Sequence, residues 1–112
     1  MPNQQFALTS VFQALSDPTR RAVIERLTRG PAAMTQLAKP FAMALPSFSQ
    51  HLDVLESCGL VHSKKSGRVR SYRLAPGPLA RAEHWMARQR SLWEQRLDQL
   101  DAYANRLQEQ QS

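Results

Sequence analysis

Residues 45–74 read LPSFSQHLDVLESCGLVHSKKSGRVRSYRL and hold two elements of different period. From Leu45 to Ser57 the apolar positions Leu45, Phe48, Leu52 and Leu55 recur every three or four residues, the spacing of a helix that buries one face. Pro46 fits its first turn, where a missing N–H costs no intrahelical bond, and Gly59 is the stop signal. From Leu60 to Leu74 the period changes to two: Val61 and Ser63 alternate with His62 and Lys64, Tyr72 and Leu74 with Ser71 and Arg73. Ser66-Gly67 sits between these runs, where a tight turn needs a residue free to take positive φ. The expectation is a helix over 45–57 and a two-stranded hairpin within 60–75, its tip ringed by Lys64, Lys65, Arg68 and Arg70.

Working outward, Leu8, Val11, Phe12 and Leu15 mark a first helix over about 6–15. Asp17-Pro18 restarts the chain as an N-cap and a first helical residue. The second helix buries Val23, Ile24 and Leu27 and stops at Gly30-Pro31. A short third helix over about 33–39 carries Met34, Leu37 and Ala38 and ends at Pro40. Downstream, Ala75-Pro76-Gly77-Pro78 reads as a break. Leu79 to about Gln108 then contains no Gly or Pro and reads as one long helix, with Leu79, Met86, Trp93, Leu100 and Leu107 every seven residues.

These elements give a fold class that is mainly α with a small β-hairpin: a winged helix-turn-helix with a long C-terminal helix. Residues 1–77 form the binding region and 78–112 the long helix, one domain in total, as suits a chain of 112 residues. A helix matches the width of the major groove, and a cationic hairpin tip suits neighbouring phosphates. With Phe48, Leu52 and Leu55 inward, the opposite arc of the first two turns is Pro46, Ser47, Ser49, Gln50 and Asp53. Ser47, Ser49 and Gln50 are short polar groups fit for base or phosphate hydrogen bonds. His51 lies at the edge of the buried arc and fits either a phosphate contact or a satisfied boundary position.

Charge supports this placement. The formal net charge is +6, and residues 61–77 carry five cations (Lys64, Lys65, Arg68, Arg70, Arg73) and no acid. Such a focus asks for a polyanionic partner. An amphipathic membrane helix would instead spread its cations along one face. No apolar run approaches the ~18 residues of a membrane span, and the N-terminal stretch lacks the pattern of a signal peptide. Cys58 is the one cysteine, which precludes an internal disulfide and fits a reducing cytoplasm. There is no Gly-rich phosphate loop, no paired nucleophile and base, and no ligand cluster, so an enzyme is not expected.

The run Ala14-Leu15-Ser16-Asp17-Pro18-Thr19-Arg20-Arg21 resembles the opening of the ArsR/SmtB-type bacterial transcription regulators. Residues 45–56 are similar to their recognition helix, and Gly59-Leu60-Val61 with residues 67–74 to their wing. The resemblance spans roughly residues 6–107. It implies a cytoplasmic, dimeric, winged-helix repressor, autoregulatory in the manner of relatives that sit beside the genes they control. It implies pairing through the first and last helices, here Phe6, Trp85, Met86, Trp93, Leu97 and Leu100. The family often places Asp and Ser where this chain has Ala42 and Ala44, and that Ser caps the recognition helix; a missing cap costs about 1 kcal/mol.

Many relatives bind metal through paired cysteines on the third helix, or Asp and His pairs on the last. Here Met34 to Lys39 offers no soft ligand, and the last helix holds one histidine, His84, beside Glu83. No metal and no cofactor is expected. Cys58 fits a small packed residue better than a thiol switch. Arg20 and Arg21 fit either a phosphate contact or a tie to a carboxylate such as Glu25 or Asp17. Trp85, Trp93 and Tyr103 fit a core or dimer interface better than a ligand pocket. The expected partners are a roughly palindromic duplex operator and a second copy of the chain. The alternative is a winged-helix module that binds RNA or a protein without reading DNA sequence.

Overall fold

The structure, a computed structural model, describes residues 4–111, with side chains from Ala7 onward. The elements run α1 (Gln4–Leu15), α2 (Pro18–Leu27), β1 (Ala32–Ala33), α3 (Met34–Ala38), α4 (Leu45–Ser57), β2 (Val61–Ser66), β3 (Val69–Leu74) and α5 (Pro76–Gln111). The chain divides into one compact unit that ends at Ala82 and a helical segment from Glu83 onward.

In the compact unit, α2 starts as its sequence dictates. Asp17 has extended backbone, and its side chain accepts a hydrogen bond from the Arg20 N–H at 3.1 Å, with Pro18 opening the helix. The end of α4 closes as a Schellman turn. Gly59, at φ +81°, donates to the Glu56 carbonyl, and Leu60 donates to the Leu55 carbonyl, each at 3.0 Å. Leu55 and Leu60 are both fully buried, which is the apolar contact that accompanies this turn.

The core gathers one stripe from each element: Val11 and Ala14 of α1; Val23, Ile24 and Leu27 of α2; Leu37 of α3; Phe48, Leu52 and Leu55 of α4; then Leu60, Val61 and Tyr72. Phe41, from the loop before α4, lays its ring 5.4 Å from that of Phe48. In the hairpin β2 and β3 pair antiparallel from Val61↔Leu74 to Ser66↔Val69. The pairing places Val61, Ser63 and Lys65 on the same face as Leu74, Tyr72 and Arg70, since paired residues share a side of the sheet.

Four expectations are corrected. The sheet has three strands, in the order β1-β3-β2, because Ala32 and Ala33 pair with Tyr72 and Ser71. Two residues are too few to show a period. The hairpin loop is Gly67-Arg68, one residue beyond Ser66-Gly67, with Gly67 supplying the positive φ of +63°. Pro76, Gly77 and Pro78 do not break the chain but open α5; proline fits the first helical turn, where its missing N–H has no partner. Leu45 was expected inside, yet it is 51% exposed, because the first residue of α4 lies beyond the reach of the core.

From Glu83 onward α5 carries an apolar stripe. Met86, Trp93, Leu100 and Leu107 are exposed, Trp93 to 72%, as are Trp85, Leu92, Leu97 and Tyr103. At 3.6 residues per turn they share one side of the helix, the seven-residue row drifting only about 20° per heptad. Glu94, Asp98 and Asp101 lie outside this stripe. Among the described residues no helix is long and apolar enough to cross a membrane.

Candidate nucleic-acid interface

Burial of Phe48, Leu52 and Leu55 fixes the rotation of α4, so the opposite side faces out. Pro46, Ser47, Gln50 and Asp53 are exposed, as the helical spacing requires, whereas Ser49 is half-buried. Ser47 and Gln50 are therefore the polar side chains that the first two turns present. No side chain caps this helix: Ala44 occupies the N-cap with extended backbone and no hydroxyl to offer.

The junction beside it is built by the arginines of α2. Arg20 sends Nε to the Ala14 carbonyl at 2.6 Å and Nη2 to the Gln13 carbonyl at 3.1 Å. Arg21 sends Nη1 to the Leu15 carbonyl at 2.8 Å. Both guanidiniums thus satisfy the free carbonyls at the C-terminus of α1, where cations are favoured. The side-chain partners are backbone oxygens, not the carboxylates of Glu25 or Asp17 weighed from sequence. Arg20 also places Nη1 3.2 Å from Nδ1 of His51. His51 is half-buried at the meeting of α2 and α4, with Nδ1 3.7 Å from the Asp17 carboxylate. Its Arg20 contact supports the satisfied boundary role.

Burial pushes the Asp17 carboxyl up. The Arg20 N–H, the His51 and Arg20 charges and the Thr19 N–H outweigh it and hold the group below its ordinary value. A depressed carboxylate adds stability above its unfolded pKa and loses it as pH falls through the folded value. Asp17→Ala is expected to cost about 1 kcal/mol at neutral pH. The gap from the parent should close as the pH is lowered below about 4, the unfolded value for aspartate. Denaturant melts at pH 7 and pH 3 check this; a gap that does not shrink in acid would contradict it.

The wing is tied to the recognition helix by a second network. Glu56, in the last turn of α4, accepts from both the N–H and the hydroxyl of Ser63 on β2. Arg70 on β3 donates from Nη1 to the Ser63 hydroxyl oxygen at 2.8 Å. At the base Ala75 donates to the Leu60 carbonyl at 2.9 Å. Burial, the charge of Glu56 and that of Asp53 raise the Tyr72 hydroxyl pKa against the opposing effect of Arg70. Lys64, Lys65 and Arg68 are exposed around the loop, while Arg70, also exposed, is engaged with Ser63. The Glu56–Ser63–Arg70 chain was not foreseen; the pairing of Ser63 with Tyr72 next to Arg70 makes sense of it only once the register is known.

The other expected positions fall as follows. Trp85, Met86, Trp93, Leu97 and Leu100 are exposed on α5. The Phe6 side chain lies outside the described residues. Cys58 is half-buried at the end of α4, its thiol donating to the Leu55 carbonyl at 3.4 Å. No group of three His, Cys, Asp or Glu side chains that could hold a metal is found among the described residues.

A helix with a polar outward face, held by hydrogen bonds and apolar contacts beside a hairpin tipped with cations, defines the winged helix-turn-helix class. A helix-turn-helix domain family model matches residues 15–64. The HTH-type transcriptional regulator Rv2034 of Mycobacterium tuberculosis is 46% identical over 69 residues, 62% of this chain and 64% of that regulator. The match thus spans just under two thirds of that relative's length. The transcriptional repressor SdpR of Bacillus subtilis is 32% identical over 70% of this chain and 88% of its own. The crystal structure of an ArsR family transcriptional regulator superposes with a TM-score of 0.79 at 50% identity, covering 84% of this chain and 97% of that one. The chain belongs to the ArsR/SmtB family of transcriptional regulators.

Proposed function

We propose that this protein is a sequence-specific, homodimeric DNA-binding repressor that acts on a roughly palindromic operator, its own promoter included. The observation that carries this reading is the joint exposure of Ser47 and Gln50 on α4 and of Lys64, Lys65 and Arg68 on the wing. Two elements then divide the work. The helix offers hydrogen-bonding side chains to base edges, and the wing offers cations to phosphates of the same duplex. The Glu56–Ser63 hydrogen bonds support a fixed spacing between reader and clamp.

Homodimerisation is supported by the stripe on α5. An exposed apolar row of this length is uncommon on a monomer, and packing it against its twin buries it in an isologous contact. Two copies related by a two-fold axis call for half-sites about one helical turn, or a multiple, apart. No metal is expected to take part, since Met34 to Lys39 offer no soft ligand and the last helix holds one histidine, His84, beside Glu83. Zinc, cadmium, nickel and arsenite are expected to leave operator binding unchanged. A tenfold shift of the binding curve by a stoichiometric ion, about 1.4 kcal/mol of coupling, would refute this.

The test of the reading as a whole is a competition assay with duplex DNA, double-stranded RNA and single strands, after selection of a preferred duplex from a random pool. Selection of a two-fold related site supports it. Equal competition by RNA, or no selected sequence, favours a module that binds RNA or protein instead.

A further inference from the structure

The start of the recognition helix carries an apolar tip that neither the core nor the polar face accounts for. Ala42, Ala44, Leu45 and Pro46 are all exposed, and Leu45 keeps half of its surface in contact with solvent although it was expected to be buried. They lie on the loop and first turn that lead into Ser47 and Gln50, with Leu45 at the N-terminal end of the helix side that Leu52 buries two turns on. The wing, joined to the last turn of α4 through Glu56, carries the exposed cations Lys64, Lys65 and Arg68, which suit a polyanion such as DNA. Residues at the start of a recognition helix are those that reach base edges. The major groove offers one apolar group for such a side chain, the C5-methyl of thymine.

We infer that Leu45, with Pro46 beside it, reads a thymine methyl in each half-site. This rests on the DNA-reading role proposed above and adds a specificity determinant to it. Ser47 and Gln50 distinguish donors from acceptors, whereas Leu45 distinguishes thymine from bases that present no methyl at that place. The side chain loses little by being held out in solvent before binding, and gains when the methyl and its own surface leave water together.

Deoxyuridine provides the test, because it keeps every hydrogen-bonding group of thymine and lacks only the methyl. Each thymine of the selected operator is replaced in turn by deoxyuridine, in both half-sites, and affinity is measured. The parent protein is expected to bind about fourfold more weakly per lost methyl at one position of each half-site, the effect of one methyl group returned to water. Leu45→Ala should bind the thymine and uracil duplexes alike at that position, and Leu45→Met should keep the difference. Equal binding of all uracil duplexes by the parent, with preference for operator over scrambled DNA intact, overturns the inference and leaves the DNA-reading role standing. So does a thymine-to-uracil gap that Leu45→Ala retains in full. Loss of any preference for operator over scrambled DNA in the parent protein overturns both.

Discussion

Trp93→Glu combined with Leu100→Glu is expected to yield a folded monomer that binds a palindromic operator 10²–10⁴-fold more weakly, on the order lost when two linked sites become independent. Both side chains are exposed on the single chain, Trp93 to 72% and Leu100 to 58%. Introducing charge there therefore disturbs no buried side chain of the core. In a two-fold pair each glutamate would meet apolar surface of the twin, or its own counterpart, and a buried unpaired charge is strongly unfavourable. Sedimentation of parent and variant at micromolar concentration, beside binding to whole and half operators, measures both parts. Half-site affinity should be nearly unchanged, since α4 and the wing are untouched. A parent that sediments as a monomer would sink the interface.

Gln50→Ala and Arg68→Ala should fail in different ways. Removing Gln50 is expected to relax preference at one or two positions of each half-site, at about 1–3 kcal/mol per lost base contact, with the salt slope kept. Removing Arg68 or Lys65 should weaken all duplexes about equally and flatten the salt dependence by about one unit of slope per phosphate contact. Ser47→Ala belongs with Gln50. Ser49 does not, since it is half-buried. Arg70→Ala should show a mixed effect, because its guanidinium also holds Ser63 and through it Glu56. Titrations on operator and scrambled duplexes across a salt series separate the classes. If the wing variants change sequence preference while the helix variants weaken every duplex alike, the division into reader and clamp is reversed.

Much of this site is readable before folding because its signals are local. Asp17 and Pro18 set the start of α2, since an N-cap acts on the N–H groups two or three residues ahead. Phe48, Leu52 and Leu55 set the rotation of α4, since helical geometry alone brings such positions to one side. Once those three are inward, Ser47 and Gln50 must be outward. The hairpin and its cations follow from a period of two on either side of a glycine.

What lies across longer separations was decided by the tertiary structure. The sequence by itself determined the helices, their buried stripes, the wing and its concentration of positive charge, because periodicity, caps and turn residues act over a few neighbours. It left open what Arg20 holds, since the carbonyls of Gln13 and Ala14 and the ring of His51, 31 residues away, converge only when α1, α2 and α4 pack. It could not place β1, whose two residues become a strand only by pairing with β3. It put Leu45 inside, because spacing reports the side of a helix but not whether the core extends to that turn. And it treated Arg70 as one of four equivalent wing cations, until the register of β2 against β3 set Ser63 within its reach.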